Sequence, residues 1–282
     1  MILLRTVSGL KTWLQKQAEA GRNIGFVPTM GALHNGHIAL VDRSVTENDL
    51  TVCSIFINPT QFNNSTDFQK YPVTIEKDLD MLEAAGCSAV FLPSTEEIYP
   101  AGPPTEHYPL GYLETVLEGK YRPGHFQGVC QVVKRLLEAV MPDHLYLGQK
   151  DYQQCMVIRK LIELQGWNDW VKLLICPTIR ESDGLAMSSR NMRLGPEERR
   201  QAVQISATLN MIKEELKPGE LSPLKQKAID QLTAMGFKVD YVEIADAGNL
   251  QLVEDWDGKT ELVALIAAFI GEVRLIDNMV LG

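Results

Sequence analysis

A chain of 282 residues, 45% hydrophobic and 22% charged, has an ordinary globular composition and enough length for two domains or one large one. Its net charge of −9 includes no basic stripe, so duplex DNA or tRNA is not an expected partner, while a small anion held by a local cluster of cations remains open. The five cysteines, Cys53, Cys87, Cys130, Cys155 and Cys176, form no C-x-x-C pair and suit a reducing compartment. Met1 to Arg5 lacks the apolar core of a signal peptide, and the longest apolar run, over 262–270, is half a membrane span. These features predict a cytoplasmic protein with no membrane association.

Strand-like and helix-like stretches alternate through the first 176 residues. Ile24-Gly25-Phe26-Val27 reads as a strand, followed by a helix over 36–48 and a second strand over 50–56. A helix over 74–85 stops at Gly86, and a strand over 89–92 stops before Pro93. Val129, Val132, Val133, Leu136, Leu137 and Val140 keep the three-four spacing of one buried face and predict a long helix over 128–141. A strand over 145–147, a helix over 152–164 and a strand over 171–175 complete the series. Such βα units imply an α/β fold, a Rossmann-like doubly wound parallel sheet covered on both faces, which binds ligands beyond the carboxyl ends of its strands.

After Pro177 the pattern changes. Pro196 near a first turn opens a helix reaching about 216, Lys217-Pro218-Gly219 breaks it, and another helix covers 222–235. Strands over 238–244 and 261–270 precede a short apolar tail around 273–276. The expected organisation is a nucleotide-binding domain over 1–176 and a smaller α+β domain over 177–282.

Chemistry concentrates in turns that follow strands. Pro28-Thr29-Met30-Gly31-Ala32-Leu33-His34-Asn35-Gly36-His37 joins a strand to a helix through a glycine-punctuated turn. Two imidazoles beside the positive end of a helix can donate hydrogen bonds to polyphosphate oxygens; a buried histidine pair with no role fits the same local pattern. Neither G-x-x-x-x-G-K-[ST] nor G-x-G-x-x-G occurs, so a bound nucleotide would depend on this turn.

Three further segments offer support. Phe56-Ile57-Asn58-Pro59-Thr60-Gln61-Phe62 holds amides at a strand end, suited to hydroxyls and carboxylates or simply to closing the strand. Gly148-Gln149-Lys150-Asp151-Tyr152-Gln153-Gln154 places a lysine for phosphate and a carboxylate for a ribose hydroxyl or metal-bound water, although surface Lys-Asp neighbours are common. Asp183-Gly184-Leu185-Ala186-Met187-Ser188-Ser189-Arg190-Asn191 follows a turn with hydroxyls and a guanidinium able to close over a triphosphate. Gly119-Lys120-Tyr121-Arg122-Pro123-Gly124-His125-Phe126 adds cations whose individual charges read as solvated surface.

Together the motifs carry a resemblance. His34-Asn35-Gly36-His37 resembles the HIGH motif of the nucleotidyltransferase superfamily, and Met187-Ser188-Ser189-Arg190 a variant of its KMSKS loop. In order and spacing, all five segments resemble the pantoate–β-alanine ligase family, from residue 1 to the Leu275-Ile276-Asp277-Asn278 end. Gln149 sits where some members carry an acidic residue.

The resemblance implies attack of pantoate carboxylate on the α-phosphorus of ATP, then attack of the β-alanine amine on the pantoyl adenylate, yielding pantothenate and AMP. It implies ATP contacts at Met30, Gly31, Ala32, Leu33, His34, Asn35, Gly36, His37, Gly148, Gln149, Lys150, Asp151, Ile179, Met187, Ser188, Ser189 and Arg190. His37 is the implied proton donor. Gln61 and Gln154 would hold pantoate, with Gln61 also serving β-alanine. Mg²⁺ would accompany the triphosphate without an assigned protein ligand, and two chains would pair through their N-terminal domains. On chemical grounds His34, His37, Lys150, Ser188, Ser189 and Arg190 would meet the charge that develops on the phosphates.

Two other functions compete. A nucleotidyltransferase acting on a phosphate ester would need cations where the chain offers Gln61 and Gln154. A nucleotide-sensing or tRNA-binding module is disfavoured by the acidic balance.

Overall fold

The structure is a computed structural model describing residues 1–62, 65–102 and 104–281. It contains two compact units, Met1–Gly148 with Gln154–Pro177, and Gln149–Gln153 with Thr178–Gly282.

The first unit opens with β1 (Ile2–Leu4) and α1 (Val7–Glu19), followed by β2 (Ile24–Thr29), α2 (Asn35–Glu47) and β3 (Leu50–Ile55). Next come α3 (Ser65–Gln69), α4 (Ile75–Ala84), β4 (Ala89–Phe91), α5 (Thr95–Ile98), α6 (Leu117–Tyr121) and α7 (His125–Val140). The series ends with β5 (His144–Gly148), α8 (Tyr152–Leu164) and β6 (Lys172–Cys176). Six strands form a parallel sheet in the order β1-β4-β3-β2-β5-β6. Counted from β2, the last five have the 3-2-1-4-5 order of a doubly wound sheet, so the order reverses between β2 and β5.

Both faces are buried, as continuous apolar strands require. Val27, Cys53, Val90 and Tyr146 pack with Leu40 and Val41 of α2 and Leu82 of α4. Their strand neighbours Phe26, Val52, Ala89 and Leu145 are equally enclosed and point to the opposite face.

Two elements escape a reading by pattern. β1 is three residues long and, among the described residues, pairs with β4 alone. In α1, Leu10 and Leu14 are buried four residues apart, and Thr6 caps the helix by accepting from the Gly9 N–H. α7 starts at His125, three residues before the expected position, because the left-handed Gly124 supplies its entry.

The second unit contains α9 (Pro196–Ala202), α10 (Gln204–Glu215), β7 (Gly219–Glu220), α11 (Ser222–Ala234), β8 (Lys238–Asp246), β9 (Asp255–Trp256), β10 (Leu262–Ile270) and β11 (Val273–Leu281). An antiparallel sheet runs β11-β10-β8, with a bulge at Ala267/Ala268. Ile205, Leu209 and Ile212 of α10 and Ala228 and Leu232 of α11 share its apolar core. The single helix expected to 216 is two segments meeting at Val203. The expected tail is a full strand to Leu281, paired with β10 along its whole length. Arg274, Asp277 and Asn278 interrupt the apolar pattern within that strand.

Candidate active site

β2 and β5 are neighbouring parallel strands, so their carboxyl ends, Thr29 and Gly148, lie at the same edge of the sheet. At the end of β2, Thr29 Oγ1 donates to the Ser54 carbonyl (2.7 Å) and accepts from the Gly31 N–H (3.2 Å). The chain then passes through left-handed backbone at Gly31 (φ 81°) and Ala32 (φ 49°). Glycine takes this shape freely, whereas alanine there costs about 1–2 kcal/mol.

The buried carboxylate of Asp78 secures that turn. Its two oxygens accept from the N–H groups of Ala32 (2.8 Å) and Leu33 (2.8 Å), and Thr74 Oγ1 donates to it (2.9 Å). Asp78 is missing from the sequence reading because a lone acid on a helix reads as a solvated face; its partners lie 46 and 45 residues away. A cleft of about 220 Å³ opens beside the turn, with Met30, Gly31, Phe56, Asp78 and Ser94 among its lining residues.

His34 lies just outside α2 as its N-cap, and His37 is the third residue of the helix. His34 Nδ1 accepts from the Gly36 N–H (3.2 Å), while the His34 N–H donates to His37 Nδ1 (3.4 Å). With each Nδ1 acting as acceptor, the proton of each neutral ring resides on Nε2. The ring centroids are 4.0 Å apart. The sequence expectation of two histidines on one helical turn is thereby refined to a reciprocal cap. Both rings are half-buried, and Asn35 between them is exposed.

Gln61 sits in the turn after β3. Asn58 Nδ2 donates to Gln61 Oε1 (3.1 Å) and the Gly128 carbonyl (3.1 Å). Asn58 Oδ1 accepts from the Thr60 N–H, Thr60 Oγ1 and Tyr99 Oη. This fixes the Gln61 amide with its oxygen towards Asn58 and its nitrogen 3.1 Å from Met30 Sδ. Met30 and Gln61, expected to serve different substrates, therefore touch.

His125 corrects the surface reading of residues 119–126. It is 6% exposed, and its Nδ1–H donates to the Gln61 carbonyl (2.8 Å). Its Nε2 therefore accepts from Arg122 Nη1 (3.2 Å), and Arg122 also pairs with Glu118 (3.7 Å).

Gly148 closes β5 in register with Cys176, and its carbonyl accepts from Cys155 Sγ. Gln154 is half-buried on α8.

The second unit carries the remaining candidates. Gln149–Asp151 is a single 3-10 turn in which Lys150 Nζ lies 3.7 Å from the exposed Asp151 carboxylate. The segment over 179–187 is a small hairpin, bridged at Arg180 and Ala186, with the Met187 N–H donating to the Ile179 carbonyl (3.0 Å). Ile179 is 38% exposed and Met187 half-buried. Asp183 opens the turn by accepting from the Leu185 N–H, and a hydrogen bond from Arg199 holds its carboxyl below the usual range. Ser188 Oγ accepts from the Arg190 N–H (3.3 Å), capping a 3-10 turn, Ser189–Arg193, in which Ser189 is buried and Arg190 half-buried. Among the described residues no group of three or more His, Cys, Asp or Glu side chains could hold a metal ion.

Sheet order and histidine turn together define the class, a Rossmann-like α/β fold with a histidine-capped helix at its reversal point. Residues 2–280 match the family model described as pantoate-beta-alanine ligase. Pantothenate synthetase of Bacteroides fragilis strain YCH46 is 45% identical over 280 residues, 99% of this chain and 98% of that protein. The enzyme of Acetivibrio thermocellus is 46% identical over 283 residues, 99% of each chain. Among solved structures, pantothenate synthetase from Thermus thermophilus superposes with a TM-score of 0.90 at 39% identity, covering 99% of both chains. The Francisella tularensis ligase, complexed with β-γ ATP and β-alanine, gives 0.82 at 37% identity over 99% of this chain and 97% of that one. The chain belongs to the pantoate–β-alanine ligase family.

Proposed function

We propose that the chain joins pantoate to β-alanine at the expense of ATP, through a pantoyl adenylate, giving pantothenate, AMP and pyrophosphate. The single observation carrying this reading is the reciprocal histidine cap at the sheet's reversal point, in a chain matching the ligase family over residues 2–280. Both Nε2–H groups then serve as donors beside a helix N-terminus, suited to phosphate oxygens that gain charge as the α-phosphorus is attacked.

In this reading Met30–His37 and Gly148 of the first unit contact ATP, and His34 and His37 supply donors, His37 delivering the proton. Gln61 holds pantoate and β-alanine through the amide that Asn58 orients, and Gln154 holds pantoate. Neutral amides fix a carboxylate and hydroxyl without weakening the nucleophile by a salt bridge. From the second unit Gln149, Lys150, Asp151, Ile179, Met187, Ser188, Ser189 and Arg190 take the nucleotide, with the cations and hydroxyls meeting phosphate charge. Mg²⁺ enters as part of the substrate, bound by phosphate oxygens and water, a mode that needs few protein carboxylates; Asp151 is the acid beside Lys150.

The reading extends to a homodimer joined through the first unit, checked by sedimentation, and to the cytoplasm. Five buried free cysteines support the latter, and no helix among the described residues is long and apolar enough to cross a membrane. Exchange of labelled pyrophosphate into ATP tests the first step. It is expected to require pantoate and Mg²⁺ but not β-alanine; exchange that requires a phosphate ester instead would refute the proposal.

A further inference from the structure

Two stretches assigned above to ATP, Gln149–Asp151 and Met187–Arg190, lie far apart in sequence but share a support in β11 of the same unit. Asn278 is 2% exposed, and its Nδ2 donates to the carbonyls of both Gln149 (3.0 Å) and Lys150 (2.8 Å). Its Oδ1 accepts from Gln149 Nε2 (3.3 Å). The two carbonyls belong to the peptide groups on either side of the Lys150 Cα, so one amide fixes both planes that aim the lysine side chain. A carboxylate of the same size has no N–H to give them.

The preceding residue works on the other stretch. Asp277, 5% exposed, takes both nitrogens of the Arg180 fork (2.6 and 3.0 Å). Arg180 also donates to the Gly184 carbonyl (3.1 Å), across the hairpin that leads into Met187. Asp277 Oδ1 accepts from the Asn278 N–H (2.8 Å), joining the two supports.

We infer that Asn278 is a positioning residue that aims Lys150 at the triphosphate, and that the Asp277–Arg180 pair ties the same step of β11 to the Met187–Arg190 stretch. The inference rests on the assignment of Lys150 to ATP. It differs from a purely structural role in one respect: the effect of Asn278 must pass through the lysine.

A double-mutant cycle tests this by pantoate-dependent pyrophosphate–ATP exchange, with Asn278→Ala, Lys150→Ala and the pair together. Asn278→Ala is expected to lower kcat/KM for ATP on the order of 10–100-fold, the range seen when the partner that orients a metal ligand is removed, with the β-alanine KM of the full reaction unchanged. In the Lys150→Ala background the same change should cost nothing further. Losses that multiply would overturn the inference, as would full activity of Asn278→Ala beside an impaired Lys150→Ala. Full activity of Lys150→Ala would instead refute the lysine's assignment and the positioning role with it. If thermal unfolding shows that Asn278→Ala does not fold, Asn278→Thr, β-branched and retaining one donor, carries the same cycle.

Discussion

At the scale of single residues, one buried carboxylate sets the shape of the histidine turn. Asp78 satisfies two backbone donors in a stretch where Gly31 and Ala32 both have positive φ. Asp78→Asn keeps the volume but replaces one acceptor oxygen with an amide nitrogen facing an N–H. Leaving a buried donor without a partner costs roughly 1–3 kcal/mol; urea unfolding should show a loss of that size, and the KM for ATP should rise. Unchanged stability would mean that the turn keeps its shape without the carboxylate. Lys150→Ala should slow adenylate formation by about two to three orders of magnitude, the usual cost of removing one transition-state donor. Pantoate binding, followed by calorimetry, should be little affected.

At the scale of elements, the close approach of α7 to the Asn58–Gln61 turn is permitted by Gly128. A Cβ there would lie 2.4 Å from the Thr60 carbonyl oxygen and 2.8 Å from Gln61 Cα, a contact only backbone movement relieves. Gly128→Ala should therefore displace Gln61 and raise the KM for pantoate more than that for ATP; equal effects on both would argue against a local shift. By contrast Thr6→Ala removes the α1 cap and an exposed contact from Ser8 Oγ, and should cost about 1 kcal/mol in stability with unchanged kinetics.

What sequence reading reached at this scale has a physical boundary. His34 and His37 are legible because a strand, a glycine turn and a helix follow one another without interruption, and the α7 face is legible because its apolar spacing repeats. Asp78 and Asn278 are illegible because their partners are backbone groups 46 and 128 residues away, whose hydrogen bonds leave no mark on side-chain pattern. β11 is shortened in the reading for a related reason. Asp277 and Asn278 look like a strand end, yet both are buried and satisfied by Arg180 and the Lys150 turn.

Across the whole molecule, the free cysteines link folding to pH. Burial pushes the Cys87 thiol up to about 11, and Cys130 to about 12, against about 8.5 in an unfolded chain. Because the folded state holds these protons more tightly, their stabilising contribution is complete below about 8.5 and falls as pH rises towards the folded values. Urea unfolding under reducing conditions should show declining stability from about pH 8.5 to about 11, and Cys87→Ala should flatten part of that slope. A slope unchanged in the variant would mean that the Cys87 thiol is not the proton involved.

The same two-unit molecule is proposed to activate a carboxylate, and the fate of one oxygen reports on that directly. With pantoate labelled by ¹⁸O in its carboxylate, attack on the α-phosphorus makes a labelled oxygen the bridge of the adenylate. Cleavage of the acyl–oxygen bond by β-alanine then leaves that oxygen on AMP. Mass spectrometry should find one labelled oxygen per AMP formed and none in pyrophosphate, whereas unlabelled AMP alongside pantothenate would contradict the adenylate route.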